Sequence, residues 1–188
     1  MKKLLIIILL FQTPTYSQNL VNAYFAGGCF WCMEESFEKT EGILEAISGY
    51  SGGSTENPTY KEVTYGNTGH FETVKITYNS EIISYKKVLD VYWKNIDPFD
   101  SAGQFCDKGY SYRSVAFYKS SEQKKIIEQS IKDIELKFNK KVVTYIRKFD
   151  KFYEAESYHQ DYYQENFVNY LMYKNGCGRE RALKKIWN

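Results

Sequence analysis

The chain has 188 residues, enough for one domain with a sizeable core. Aromatic residues make up 18% of it, with 18 Tyr, which argues against disorder. There are 25 Lys and Arg against 23 Asp and Glu; residues 1–17 hold two Lys and no acid, so the remainder is balanced and offers no electrostatic case for nucleic acid or a membrane surface.

Residues 1–17 open with Lys2 and Lys3, continue as an apolar run from Leu4 to Phe11, and reach the small residue Ser17. That is a secretory signal pattern, too short to span a bilayer, with cleavage expected near Ser17 or Gln18. One domain over 18–188 follows, because no repeat, linker or low-complexity block interrupts it. A strand is predicted near 22–27. It runs into Gly27-Gly28-Cys29-Phe30-Trp31-Cys32, where two glycines permit a sharp turn. A helix near 32–41 follows, with Glu34 and Glu35 expected in its first turn. Cys29 then sits at a helix N-terminus, where free N–H groups and the helix dipole favour a thiolate. An ordinary thiol, with a pKa of about 8.5, is only a few per cent ionised at neutral pH.

Further strands are predicted near 43–50, 71–79, 113–119 and 142–149, and helices near 85–96, 121–137 and 159–173. Over 121–137, Ser120 and Gln123 form a capping box and Ile127, Ile131, Ile134 and Phe138 share one face. Interleaved strands and helices imply an α+β or α/β layer fold. The segment 97–112 reads as a long irregular loop, of the kind that is usually functional or mobile. Within 71–79, alternation places Glu72 on the same side as Val74, Ile76 and Tyr78, so its carboxyl is expected to be desolvated and its pKa raised. His70 and His159 are expected to be structural donors, and a metal site is not expected, because no second Cys/His pair has ligand spacing.

A reactive thiol beside a neutral carboxylic acid suits reduction of a sulfoxide. Sulfur attacks, oxygen takes a proton, and Cys29 is left as a sulfenic acid that a second thiol converts to a disulfide. The residues now at hand resemble the peptide methionine sulfoxide reductase A family. The matching segments are GGCFWC at 27–32, SGYSGG at 48–53, NPTYKEV at 57–63, GNTGHFETV at 66–74, NIDPFDSAGQFCDKGYSYRS at 95–114, AESYHQDYY at 155–163 and GCGRERALKKIW at 176–187.

The resemblance implies an α+β two-layer sandwich of the ferredoxin-like type, with a mixed sheet and packed helices. It implies Cys29 as nucleophile, Glu72 as the acid that protonates the oxygen, Tyr60 and Tyr112 as phenols bonded to that oxygen, and Asp107 as an organising carboxylate. Phe30 and Trp31 would line the pocket for the substrate S-methyl group. The implied substrate is the S epimer of methionine sulfoxide, free or in oxidised proteins. No cofactor is expected to be bound, and a thioredoxin or thioredoxin-like partner would supply electrons. Family members often carry Gln where Ser111 stands, which should touch only the pocket rim. The protein is expected to be a monomer, exported to a periplasm or secreted, with no lasting membrane insertion.

Two alternatives compete. Cys29-Phe30-Trp31-Cys32 is a Cys-x-x-Cys pair, so an exported dithiol–disulfide oxidoreductase is the enzyme rival; Gly28 before Cys29 and the turn-like Pro58 count against it. A secreted, disulfide-stapled binding domain is the other. For the resolving thiol, Cys32 lies one helical turn from Cys29. Cys177, between Gly176 and Gly178, could swing across the site or instead pair with Cys106.

Overall fold

The computed structural model describes residues 19–188; the signal segment expected over 1–17 lies outside them. Strand β1 (Leu20–Ala26) leads into helix α1 (Phe30–Glu38), strand β2 (Ile43–Ser51), a short helix α2 (Tyr60–Tyr65), strand β3 (Phe71–Asn79) and helix α3 (Tyr85–Lys94). A small hairpin, β4 (Gly103–Gln104) and β5 (Asp107–Lys108), precedes β6 (Val115–Tyr118), the long α4 (Ser121–Phe138), β7 (Tyr145–Lys148) and β8 (Phe152–Glu154). Three helices follow: α5 (Tyr162–Glu165), α6 (Phe167–Cys177) and α7 (Arg179–Trp187).

The main sheet runs β7-β6-β1-β3-β2-β8. Its inner strands pair antiparallel and β7 joins β6 in parallel, so the sheet is mixed. The β1-α1-β2-β3-α3-β6 path with spatial order β6-β1-β3-β2 is the ferredoxin-like unit expected from the resemblance. One sheet face carries Val74, Ile76 and Tyr78 into the main core with Phe30, Met33 and Phe37 of α1 and Val88, Leu89 and Tyr92 of α3. The other face of β3 begins with Phe71, which packs with Tyr24 and Phe117. Burial of these apolar surfaces holds the two layers together.

Four local features differ from the expectation. Helix α1 starts at Phe30, so Glu34 and Glu35 fall beyond its first turn, which holds no acid of its own. Helix α2 forms just after the turn-like Pro58, where no element was predicted, because Thr59 and Glu62 cap each other reciprocally. The loop 97–112 folds back as the β4–β5 hairpin and a 3-10 turn at Tyr110–Tyr112. The Tyr-rich stretch breaks into a 3-10 turn, α5 and α6, with Asp161 in the left-handed region, and Gly178 at φ +70 separates α6 from α7.

Gly28 is required twice over. It has φ +80, and a Cβ there would lie 2.6 Å from Gln104 Cβ. Gln104 is fully buried; it accepts from Asp97 N at 2.7 Å and donates to Asp97 O at 2.8 Å. The turn before Cys29 is thus packed against the folded-back loop. Among the described residues, no helix is long and apolar enough to cross a membrane.

Candidate active site

Cys29 is the N-cap residue of α1, and Cys32 lies one turn along the same helix. Both thiols are free and buried, clustered with Tyr170 of α6. A cavity of about 50 Å³ opens beside Cys29, lined by Phe30, Trp31, Tyr60, Glu72, Asp107, Tyr112 and Tyr173. It brings together every site residue predicted from the sequence except Cys32 and Cys177. That volume suits a methyl group and a single oxygen rather than a whole side chain. A larger hollow of about 390 Å³ between α3, α4 and α7 contains no thiol.

Each wall comes from a different element. Helix α1 supplies Phe30 and Trp31, β3 supplies Glu72, the capped α2 presents Tyr60, and the folded-back loop brings Asp107 and Tyr112. Trp31 is stacked on Tyr162 at 3.8 Å, and its Nε1–H donates to His159 Nδ1 at 3.2 Å. The Phe30 and Tyr60 rings flank the His159 ring at 5.0 and 4.4 Å. Ser111 is buried and does not line the cavity.

Glu72 is 2% exposed, as the alternation of β3 predicts. Its Oε2 accepts the backbone N–H of Phe30 at 3.0 Å. That bond and the Tyr112 hydroxyl favour the carboxylate, but loss of solvent outweighs them and pushes the pKa up to about 8. At neutral pH the side chain is therefore mostly protonated. Asp107 Oδ2 accepts from the Tyr173 hydroxyl at 2.6 Å, and burial raises its pKa too. Burial also raises Tyr60 and Tyr112, so both phenols keep their protons.

The two thiols depart from the expectation for Cys29. Burial pushes Cys29 well above the ordinary thiol value, and the neighbouring Cys32 adds to the effect. Cys32 is lowered to about 7, first by the hydrogen bond from Cys29 and then, against burial, by Arg179 and Tyr170. In the resting pair Cys32 ionises first and Cys29 holds the proton. The helix N-terminus does not dominate because Cys29 is only 5% exposed and desolvation is the larger effect.

Cys177 ends α6 and is bonded to Cys106, with Cα atoms 5.0 Å apart. It is held in place rather than hanging in a free tail. The bond joins the hairpin that carries Asp107 to the helix that carries Tyr173.

Several supporting residues were not singled out from the sequence. Tyr173 reaches Asp107 only because α6 folds over α1. Glu35 accepts from Tyr170, Lys174 and Lys39 at 2.6, 2.8 and 2.7 Å. Burial works upward on Glu35, but these donors outweigh it and lower its pKa to about 2. His159 was read as structural, and it is the hub of the aromatic wall. Arg179 is buried beneath the Gly27-Gly28 turn, and its place so late in the chain gave no signal. His70 is a loop brace: Nδ1 accepts from Gly53 N and Nε2 donates to Thr55 O. Glu34, Glu38 and Asp161 cluster closely, but protein donors already occupy the oxygens of both glutamates.

The family model for peptide methionine sulfoxide reductase matches residues 21–188. A Bacillus velezensis protein named peptide methionine sulfoxide reductase MsrA is 48% identical over 167 residues, covering 88% of this chain and 94% of its own. A Listeria monocytogenes protein of the same name is 48% identical over 172 residues, covering 90% and 97%. Among solved structures, Mxr1 from Saccharomyces cerevisiae in reduced form superposes with a TM-score of 0.71 at 31% identity, over 78% of this chain and 86% of that one.

The buried carboxyl gives a pH signature in stability. Glu72 has a folded pKa of about 8, above its unfolded value of about 4.3. Its contribution is fully present below the unfolded value and is lost as pH rises through the folded one. Wild type should therefore lose stability relative to Glu72→Gln between about pH 4.5 and 8. Glu34, raised to about 7, moves the same way but is common to both proteins. Urea unfolding at pH 5 and pH 8 measures the difference; a difference that does not change with pH contradicts a buried neutral carboxyl.

Proposed function

The chain belongs to the peptide methionine sulfoxide reductase family, and on that footing we infer how its own residues reduce methionine sulfoxide to methionine. The observation that carries the reading is one cavity holding the Cys29 thiol, a neutral Glu72 and two neutral phenols beside an aromatic wall. The substrate S-methyl group packs against Phe30 and Trp31, a favourable contact for a polarisable sulfur. Tyr60 and Tyr112 donate to the sulfoxide oxygen. One face of the sulfur is then fixed by methyl and oxygen together, which supports selection of the S epimer.

Cys29 Sγ attacks the substrate sulfur and bonds to it, and its thiol proton replaces the one that Glu72 of the same cavity gives to the oxygen. Glu72 protonates the oxygen, and the S–O bond to the substrate breaks. The oxygen passes to Cys29 Sγ as the transient bond between the two sulfurs breaks, so methionine departs and Cys29 is left as a sulfenic acid. Asp107, tied to Tyr173, organises the open side of the pocket. Cys32 then attacks Cys29 Sγ, releasing water and leaving a Cys29–Cys32 disulfide. Cys177 is the less favoured resolver because it is already bonded to Cys106. A thioredoxin-like dithiol restores the pair by exchange.

The small cavity and its shallow surroundings fit an oxidised methionine presented by another protein as well as the free amino acid. Export is supported by the signal pattern over 1–17 and by the Cys106–Cys177 bond, which is typical of oxidising compartments. The dithiol–disulfide oxidoreductase alternative gives the neutral Glu72 and the paired phenols no task.

Cys29→Ser should fold and lose essentially all sulfoxide reduction, because a hydroxyl is a far weaker nucleophile. Glu72→Gln should slow sulfenic acid formation by roughly 10²–10⁴, the range for a positioned acid. Single-turnover assays with a methionine sulfoxide peptide measure both. A Gln variant as fast as wild type from pH 5 to 9 removes Glu72 from the chemistry.

Cys32→Ser should reduce one equivalent of sulfoxide and then stall as a sulfenic acid under a thioredoxin-type reductant. Cys177→Ser should recycle. The reverse pattern makes Cys177 the resolver.

A further inference from the structure

Two arginines interlock with two exposed phenols at the end of the sheet. Arg113 closes the 3-10 turn whose Tyr112 lines the cavity, and Arg147 lies in β7. Arg113 Nη1 donates to the Tyr145 hydroxyl at 3.1 Å, and its guanidinium lies over the Tyr110 ring at 5.4 Å. Arg147 Nη2 donates to the Tyr110 hydroxyl at 3.1 Å, and its guanidinium lies over the rings of Tyr145 at 5.3 Å and Phe71 at 4.8 Å. Each arginine thus stacks on one tyrosine and bonds the other.

This box has charge and no counter-charge. Among the described residues neither arginine takes part in an ion pair. Arg113 Nε is buried with no hydrogen-bond partner, so that guanidinium is partly desolvated with no anion to offset the cost. The hollow of about 260 Å³ beside Arg147 also holds Lys148 and Lys151, but Glu56 and Asp150 balance them there. Each phenol oxygen accepts an arginine N–H and keeps its own O–H to give. Two cations and two phenol protons therefore face outward together, which is a receptor for an anion.

Its place points to the occupant. The Tyr110 ring stacks on Phe71 at 4.7 Å, while Tyr112 of the same turn enters the cavity beside Glu72. Phe71 and Glu72 are neighbours on β3 and point to opposite faces of the sheet. The turn wraps the end of that strand, with the sulfoxide site on one side and the arginine box on the other. We propose that Arg113 and Arg147 bind an acidic side chain of the oxidised protein, a few residues from the methionine sulfoxide held in the cavity. This deepens the reading of the chain as a reductase of protein-bound methionine sulfoxide and rests on it. An extended peptide advances about 3.4 Å per residue, so a carboxylate within about four residues of the oxidised methionine spans the turn. A carboxylate takes two N–H bonds from a guanidinium and has lone pairs left for a phenol. Free methionine sulfoxide is too short to reach the box and gains nothing from it.

The test uses otherwise identical peptides with one methionine sulfoxide and a single Glu or Gln at each of the positions up to four residues on either side. The readout is the ratio of kcat/KM for the Glu peptide to that for its Gln partner, in which any general damage to a variant cancels. In wild type at low salt the ratio should reach about threefold or more at one or more positions, through KM. It should fall toward one as salt is raised. Arg113→Gln and Arg147→Gln should each lower it, and Arg147→Lys should retain part of it. Ratios of one at every position in wild type overturn the inference, even if no arginine variant folds. A ratio that survives both Gln substitutions also overturns it. If the Gln peptides themselves are not reduced, the reductase reading has failed and takes the inference with it; if they are reduced as fast as the Glu peptides, the inference fails alone.

Discussion

The Phe30 N–H bond to the Glu72 carboxyl is the contact on which the site depends. It spans 42 residues of sequence and joins the first turn of α1 to the start of β3. A helix N-terminus leaves donors unsatisfied, and here none of the first-turn side chains is acidic. The strand supplies the missing acceptor. One bond thereby orients the carboxyl, completes the helix start and sets Cys29 beside the group that will protonate the departing oxygen. Burial then decides the charge of that group, because the donors that favour the carboxylate do not outweigh the loss of water.

The same balance orders the remaining protons. The phenols of Tyr60, Tyr112 and Tyr173 are all pushed upward by burial and stay neutral donors. Burial raises Cys29, while the hydrogen bond from Cys29 lowers Cys32 to about 7. The Cys106–Cys177 bond braces this arrangement from outside. Cys106 lies between Phe105, which covers Arg179, and Asp107, which closes the cavity. Cys177 precedes Gly178 and Arg179 themselves. A surface disulfide and a buried cation therefore hold the hairpin and the last helices against the thiol pair.

Much of this was legible from residues alone. The alternation of β3 placed Glu72 inside because one-sided burial leaves a strong period of two, and the Ser120 cap with its apolar stripe marked α4 for the same kind of reason. The seven matching segments brought Tyr60, Tyr112 and Asp107 into the site, which periodicity alone would have left as surface residues. The Thr59–Glu62 capping box of α2 was present in the sequence but was masked by Asn57-Pro58, which reads as a turn. Tyr173 and Arg179 gave no local signal, and His159 was legible only as a structural residue. Their roles arise when α5, α6 and α7 pack over α1, and that packing depends on long-range contacts such as Tyr170 and Lys174 with Glu35. The thiol reversal was hidden as well, since a helix N-terminus favours a thiolate and only the depth of burial shows that desolvation prevails.

The central claim is that Glu72 is a neutral acid at the working pH. Infrared difference spectroscopy between wild type and Glu72→Gln reads it directly, through the carbonyl stretch of a protonated carboxylic acid. That band should be present at pH 7 and titrate away with a midpoint near 8. A band already lost by about pH 5, as for an ordinary exposed glutamate, would contradict the account.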